Sequence, residues 1–118
     1  MKKQYHVIRN VIKLDMCNFL TQYFMLKRQV KITYDQGHFI SPYNREYGIF
    51  HDPQCLGAWS QYGDIASDLA MQNLKPTLEK FFKKQLDETY SYVRIYEKGH
   101  ELKRHKDRSS CQISATIN

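Results

Sequence analysis

His105-Lys106-Asp107 is the one spacing in this chain that puts a metal-binding pair together. In extended backbone, residues i and i+2 project from the same face, so the imidazole and the carboxylate converge while Lys106 points away. They offer one neutral nitrogen and one anionic oxygen to a single ion. The facial triad that binds non-haem Fe(II) adds a second histidine and leaves further coordination positions open. No histidine follows His105, so the missing ligand is expected from chain beyond Asn118. The competing reading makes His105 an exposed histidine in a basic strand and Asp107 the first residue of an Arg108-Ser109-Ser110 turn, where Asp is common.

Presenting such a pair takes extended segments, and the C-terminal third of the sequence supplies them. Thr89 to Tyr96 alternates with period two, Tyr90, Tyr92, Arg94 and Tyr96 on one face and Ser91, Val93 and Ile95 on the other. The aliphatic face is expected to pack on helices, leaving the tyrosine and arginine face to line a cavity. Glu97-Lys98-Gly99-His100 reads as a turn and Leu102 to Asp107 as a returning strand. Cys111 to Asn118 alternates again, and the sequence stops within it, so a truncated domain is expected.

Upstream, apolar residues at Met16, Cys17, Leu20, Tyr23 and Phe24 predict a helix over 14–29, with Asp15 as its cap or first-turn acid. A second helix is expected over 64–84, striped by Ala66, Ala70, Leu74, Leu78 and Phe81. Pro76 inside it must kink it or start a new one. Short strands are predicted over 5–12 and 30–34, while 35–64, rich in Gly, Pro, Asn, Asp and Ser, reads as loops and short extended pieces. The fold class is therefore α+β, with 1–87 as helical support and loops and 88–118 as core strands bearing the metal pair.

Composition sets the outer bounds. The chain has 118 residues, enough for one core but not two, and its 42% hydrophobic and 25% charged content is that of a globular domain. Gln4 to Asn10 is too polar for a signal-peptide core, and no run approaches a membrane span. Three cysteines without a CxxC pair suggest neither a disulfide framework nor a zinc knuckle, so reduced thiols and a cytoplasmic location are expected. His51-Asp52-Pro53-Gln54-Cys55 looks metal-like but lacks a second pair at zinc spacing and reads as a turn. His6, His38 and His100 read as surface or rim residues. The formal charge of +6, concentrated between Lys80 and Arg108, reads first as a solvated surface.

The stretch from Tyr90 to Asn118 resembles the opening half of the double-stranded β-helix (jelly-roll) core of Fe(II)- and 2-oxoglutarate-dependent dioxygenases, most closely the prolyl 4-hydroxylase type. Tyr96, Gly99, Arg104-His105-Lys106-Asp107 and Ile117-Asn118 carry that likeness, which covers about a quarter of the chain. It implies His105 and Asp107 as iron ligands, with Tyr96 donating its hydroxyl to a carboxylate of 2-oxoglutarate. Thr116 would be a weaker cosubstrate contact. The second histidine, and the Arg or Lys that clamps the far carboxylate of 2-oxoglutarate, would lie on later strands. The implied reaction couples oxidative decarboxylation of 2-oxoglutarate to hydroxylation of a C–H bond by O2, with ascorbate as an optional reductant. A prolyl peptide is the family-weighted substrate, with small molecules open; neither substrate nor oligomeric state is legible.

Each of these residues has a plainer role available. Tyr96 fits core packing with its hydroxyl at the rim, and Thr116 fits ordinary β-propensity. A non-enzymatic alternative also stands. The lysines and arginines between Lys80 and Arg108, interleaved with Phe81, Phe82, Tyr90, Tyr92 and Tyr96, would suit a nucleic-acid-binding module.

Overall fold

A computed structural model describes residues 5–37 and 43–118, so His38 lies outside the described residues. Among them the chain forms α1 (Leu14–Gly37), β1 (Trp59–Tyr62), α2 (Ile65–Phe82) and β2 (Tyr92–Ile95). The class is α+β, with β1 and β2 making one open antiparallel sheet.

α1 runs well past the predicted end at residue 29, and the strand expected over 30–34 is helical instead. No Gly or Pro interrupts the sequence between Leu14 and Gln36, so nothing stops the helix before Gly37. The β-branched residues Val30, Ile32 and Thr33 carry only a weak bias against helix. Local bonds offset that bias: Lys31 Nζ donates to Asp35 Oδ1 at 2.9 Å, and Thr33 Oγ1 donates to the Gln29 carbonyl. The inward stripe passes through Leu20, Phe24, Lys27 and Lys31, while Met16 of the expected stripe is exposed.

α2 begins where the sequence places it. Asp64 is its N-cap, accepting from Ala66 N at 2.7 Å, which satisfies an amide that the first turn cannot. The helix runs through Pro76 without dividing, and ends with Lys83 in the left-handed conformation (φ 54°). Asp64 also joins the two helices. Its Oδ2 accepts from the Tyr23 hydroxyl and forms an ion pair with Lys27, both on α1.

Only one of the extended segments expected after residue 88 joins a ladder. In β2, Ile95, Arg94, Val93 and Tyr92 face Trp59, Ser60, Gln61 and Tyr62 of β1. β1 lies in the region read as loops and short extended pieces. Leu102 to Asp107 and Cys111 to Asn118 stay outside regular strands, as does the expected strand over 5–12. A strand needs a neighbour to take its amides and carbonyls, and Leu102 to Asp107 has just one such bond, from Lys103 N to the Gln54 carbonyl at 2.8 Å.

The core centres on β1 and the turn before it. Cys55, Ala58 and Trp59 are buried, Phe24 of α1 packs on Trp59 with ring centroids 6.2 Å apart, and α2 buries no residue fully. Trp59 Nε1 donates to the Tyr47 carbonyl at 2.8 Å. Gly48 lies under the indole at φ +87°, where a Cβ would fall 2.4 Å from Trp59. Both the backbone angle and the contact demand glycine there.

Candidate functional site: an open His105–Asp107 pair

Two acid–base constellations lie near β2. The first is closed. Asp52 is 3% exposed, and its Oδ2 accepts from the Tyr92 hydroxyl at 2.7 Å, Arg94 Nη2 at 2.7 Å and Arg94 Nε at 3.1 Å. Oδ1 accepts from Gln54 N at 2.9 Å, so the turn read from the His51-Asp52-Pro53-Gln54-Cys55 sequence is present. The Tyr92 hydroxyl also lies 3.0 Å from Ser60 Oγ. Burial pushes the Asp52 carboxyl up, but the bonds from Tyr92, Arg94 and Gln54 together hold it below the usual carboxylate range. Burial likewise opposes the Arg94 charge, and Asp52 and Tyr96 more than restore it. This network braces the sheet against the turn at 52–55.

His105 and Asp107 form the second constellation, and it is open. Their side chains lie on the same side of the backbone, with His105 Nε2 and Asp107 Oδ1 3.5 Å apart. The outer atom of each is held. His105 Nδ1 lies 2.9 Å from the Lys103 carbonyl, an acceptor only, so that nitrogen is the donor, and in the neutral imidazole Nε2 would carry the lone pair. Asp107 Oδ2 accepts from Ser114 Oγ at 2.8 Å. Fixing the far atom of each ligand is how outer partners orient metal-binding side chains. Ser114 was not legible as such a partner, because the pairing depends on the turn at Arg108 to Cys111, where Cys111 N donates to the Arg108 carbonyl.

The donor set fits a metal in part. Donors 3.5 Å apart can both reach one ion at metal–ligand distances of about 2.0–2.2 Å. Among the described residues, no group of three or more His, Cys, Asp and Glu side chains could hold a metal.

The predicted cosubstrate residues are not joined to this pair by any hydrogen bond among the described residues. The half-exposed Tyr96 accepts from Arg94 Nη1 at 3.1 Å through its hydroxyl oxygen, which leaves its proton to donate elsewhere. Thr116 is exposed and lies outside regular structure. Cys17, Cys55 and Cys111 are not joined in disulfides. Among the described residues no helix is long and apolar enough to cross a membrane.

No protein-family model, curated protein or solved structure matches this chain. Its function is therefore argued from the geometry and from the likeness of its C-terminal motif.

Proposed function

We propose that this chain is part of a cytoplasmic Fe(II)- and 2-oxoglutarate-dependent hydroxylase of the prolyl 4-hydroxylase kind, its β2 belonging to a double-stranded β-helix core. The observation that carries this reading is the convergence of His105 Nε2 and Asp107 Oδ1, each with its outer atom anchored and its inner atom turned to the other.

His105 would give the ion a neutral nitrogen and Asp107 a negative oxygen, a donor set suited to ferrous iron once a further ligand joins. When bound, the iron with 2-oxoglutarate and O2 would supply the oxidising power for C–H hydroxylation, ascorbate serving as a reductant. The residues' own part is placement. Tyr96 would donate its free hydroxyl proton to a 2-oxoglutarate carboxylate, with Arg94 holding the oxygen in place, and Thr116 would add a weaker cosubstrate contact. Both metal donors must be deprotonated to bind, so iron affinity should fall on acidification.

The alternative of a nucleic-acid-binding surface draws on the exposed run Lys103, Arg104, Lys106 and Arg108. Its aromatic half is largely occupied within the molecule. Tyr92 is tied to Asp52, and Tyr62 and Tyr90 stack on each other at 5.2 Å. The two readings separate in one experiment. Anaerobic addition of Fe(II) and 2-oxoglutarate should give a visible absorbance band that His105→Ala removes. Salt-sensitive binding of single-stranded DNA without that band, unchanged by His105→Ala, would favour the nucleic-acid surface.

A further inference from the structure

A cavity of about 520 Å³ opens beside β1 and β2, lined in part by Arg45, Ser60, Gln61, Tyr62, Tyr92 and Arg108. That volume is in the range of small-molecule sites. No carboxylate lines it, and neither Arg45 nor Arg108 forms an ion pair among the described residues. Two arginines without an ion-pair partner among the described residues thus line one cavity. Arg94, near the same sheet face, differs because Asp52 neutralises it.

Arg108 is also held in place. Its guanidinium carbon lies 5.0 Å from the Tyr90 ring centroid and 5.7 Å from that of Tyr62, and those two rings stack at an interplanar angle of 20°. Arg108 thus sits beside the stacked pair, within cation–π range of both rings. A guanidinium binds oxyanions in paired, charge-assisted hydrogen bonds. Arg108 directly follows Asp107 in the sequence, so one residue of the cavity lining adjoins the metal pair along the chain.

We infer that this cavity binds the substrate through an oxyanion group, so that the molecule hydroxylated is acidic and not a neutral prolyl peptide. Its role as substrate site rests on the hydroxylase reading, whereas anion binding there requires no iron. The shared chemistry is an oxyanion fork, which a carboxylate or a phosphate can supply.

The test is a titration of the isotope-labelled chain with succinate and, separately, with inorganic phosphate at constant ionic strength, read at the arginine Nε–Hε resonances. Saturable shifts at Arg45 and Arg108 are expected, and the tighter of the two anions identifies the group. Arg45→Gln and Arg108→Gln should each weaken binding by about tenfold, the loss of one charge-assisted contact. Arg108→Lys, which keeps the charge but not the fork, should also weaken it, and His105→Ala should leave it unchanged. Shifts that fail to saturate, that a matched chloride addition reproduces, or that survive both glutamine substitutions would overturn the site. Loss of binding in His105→Ala would place the anion on the metal pair instead. Anion binding without the iron-dependent absorbance would remove the hydroxylase and with it the substrate role, while the absorbance without anion binding would remove this site alone.

Discussion

Asp52–Arg94 and His105–Asp107 pair similar chemical groups and reach opposite ends. The first has side chains only 4% and 10% exposed, with every Asp52 oxygen bonded; the second is 30% and 46% exposed, and its inner nitrogen and oxygen meet only each other, 3.5 Å apart. A buried charge must be fully paired, since an unpaired one costs several kcal/mol. Exposed charges carry no such penalty, so this pair stays accessible to a ligand. The difference assigns the first pair to holding the fold and the second to acting on something else.

Removing one partner from the closed pair should break the fold. Asp52→Ala leaves Arg94 and Tyr92 without their acceptor and should cost about 3–5 kcal/mol, seen as a lower urea midpoint by circular dichroism. An unchanged midpoint would erase the distinction between the two regions. Gly48→Ala comes next, at about 3 kcal/mol, because it combines a left-handed backbone with overlap on Trp59.

Acid should sharpen the contrast further. Burial raises both Asp52 and Asp64, yet hydrogen bonds from Tyr92 and Arg94 on the first, and from Lys27 and Ala66 N on the second, hold both below the ordinary carboxylate range. The unfolded chain therefore binds protons first as pH drops below about 4. The stability these groups contribute is complete above that value and is lost as pH falls through their lower folded values. An acid melt that Asp52→Asn leaves unaltered would argue against this linkage. The smallest effect belongs to the open pair. His105→Ala and Asp107→Ala should change stability by less than about 0.5 kcal/mol, and a large loss would make them structural.

Periodicity located α2 and the alternation of β2, because each depends on neighbours within a few residues. The Glu97 to His100 turn was equally legible; His100 N donates to the Glu97 carbonyl at 3.0 Å, with Gly99 at φ +92°. β1 was legible only as one of the short extended pieces expected over 35–64, since Trp59-Ser60-Gln61-Tyr62 lacks a strand-like pattern and is a strand by virtue of Val93 and Arg94 beside it. Leu102 to Asp107 shows the converse, strand-like spacing with a single backbone bond to a neighbour. Because side-chain direction is a local property, His105 and Asp107 still converge. What depended on distant chain, namely the burial of Asp52 by Arg94 and the placing of Arg45 and Arg108 on one cavity, could not be read in advance.

The burial of Trp59 has a practical consequence. It is the chain's sole tryptophan, 1% exposed, in contact with Phe24 and roofing Gly48 in the buried core. Its fluorescence is thus a native optical probe of this centre, emitting at short wavelength while the indole stays dry and shifting red when water first enters.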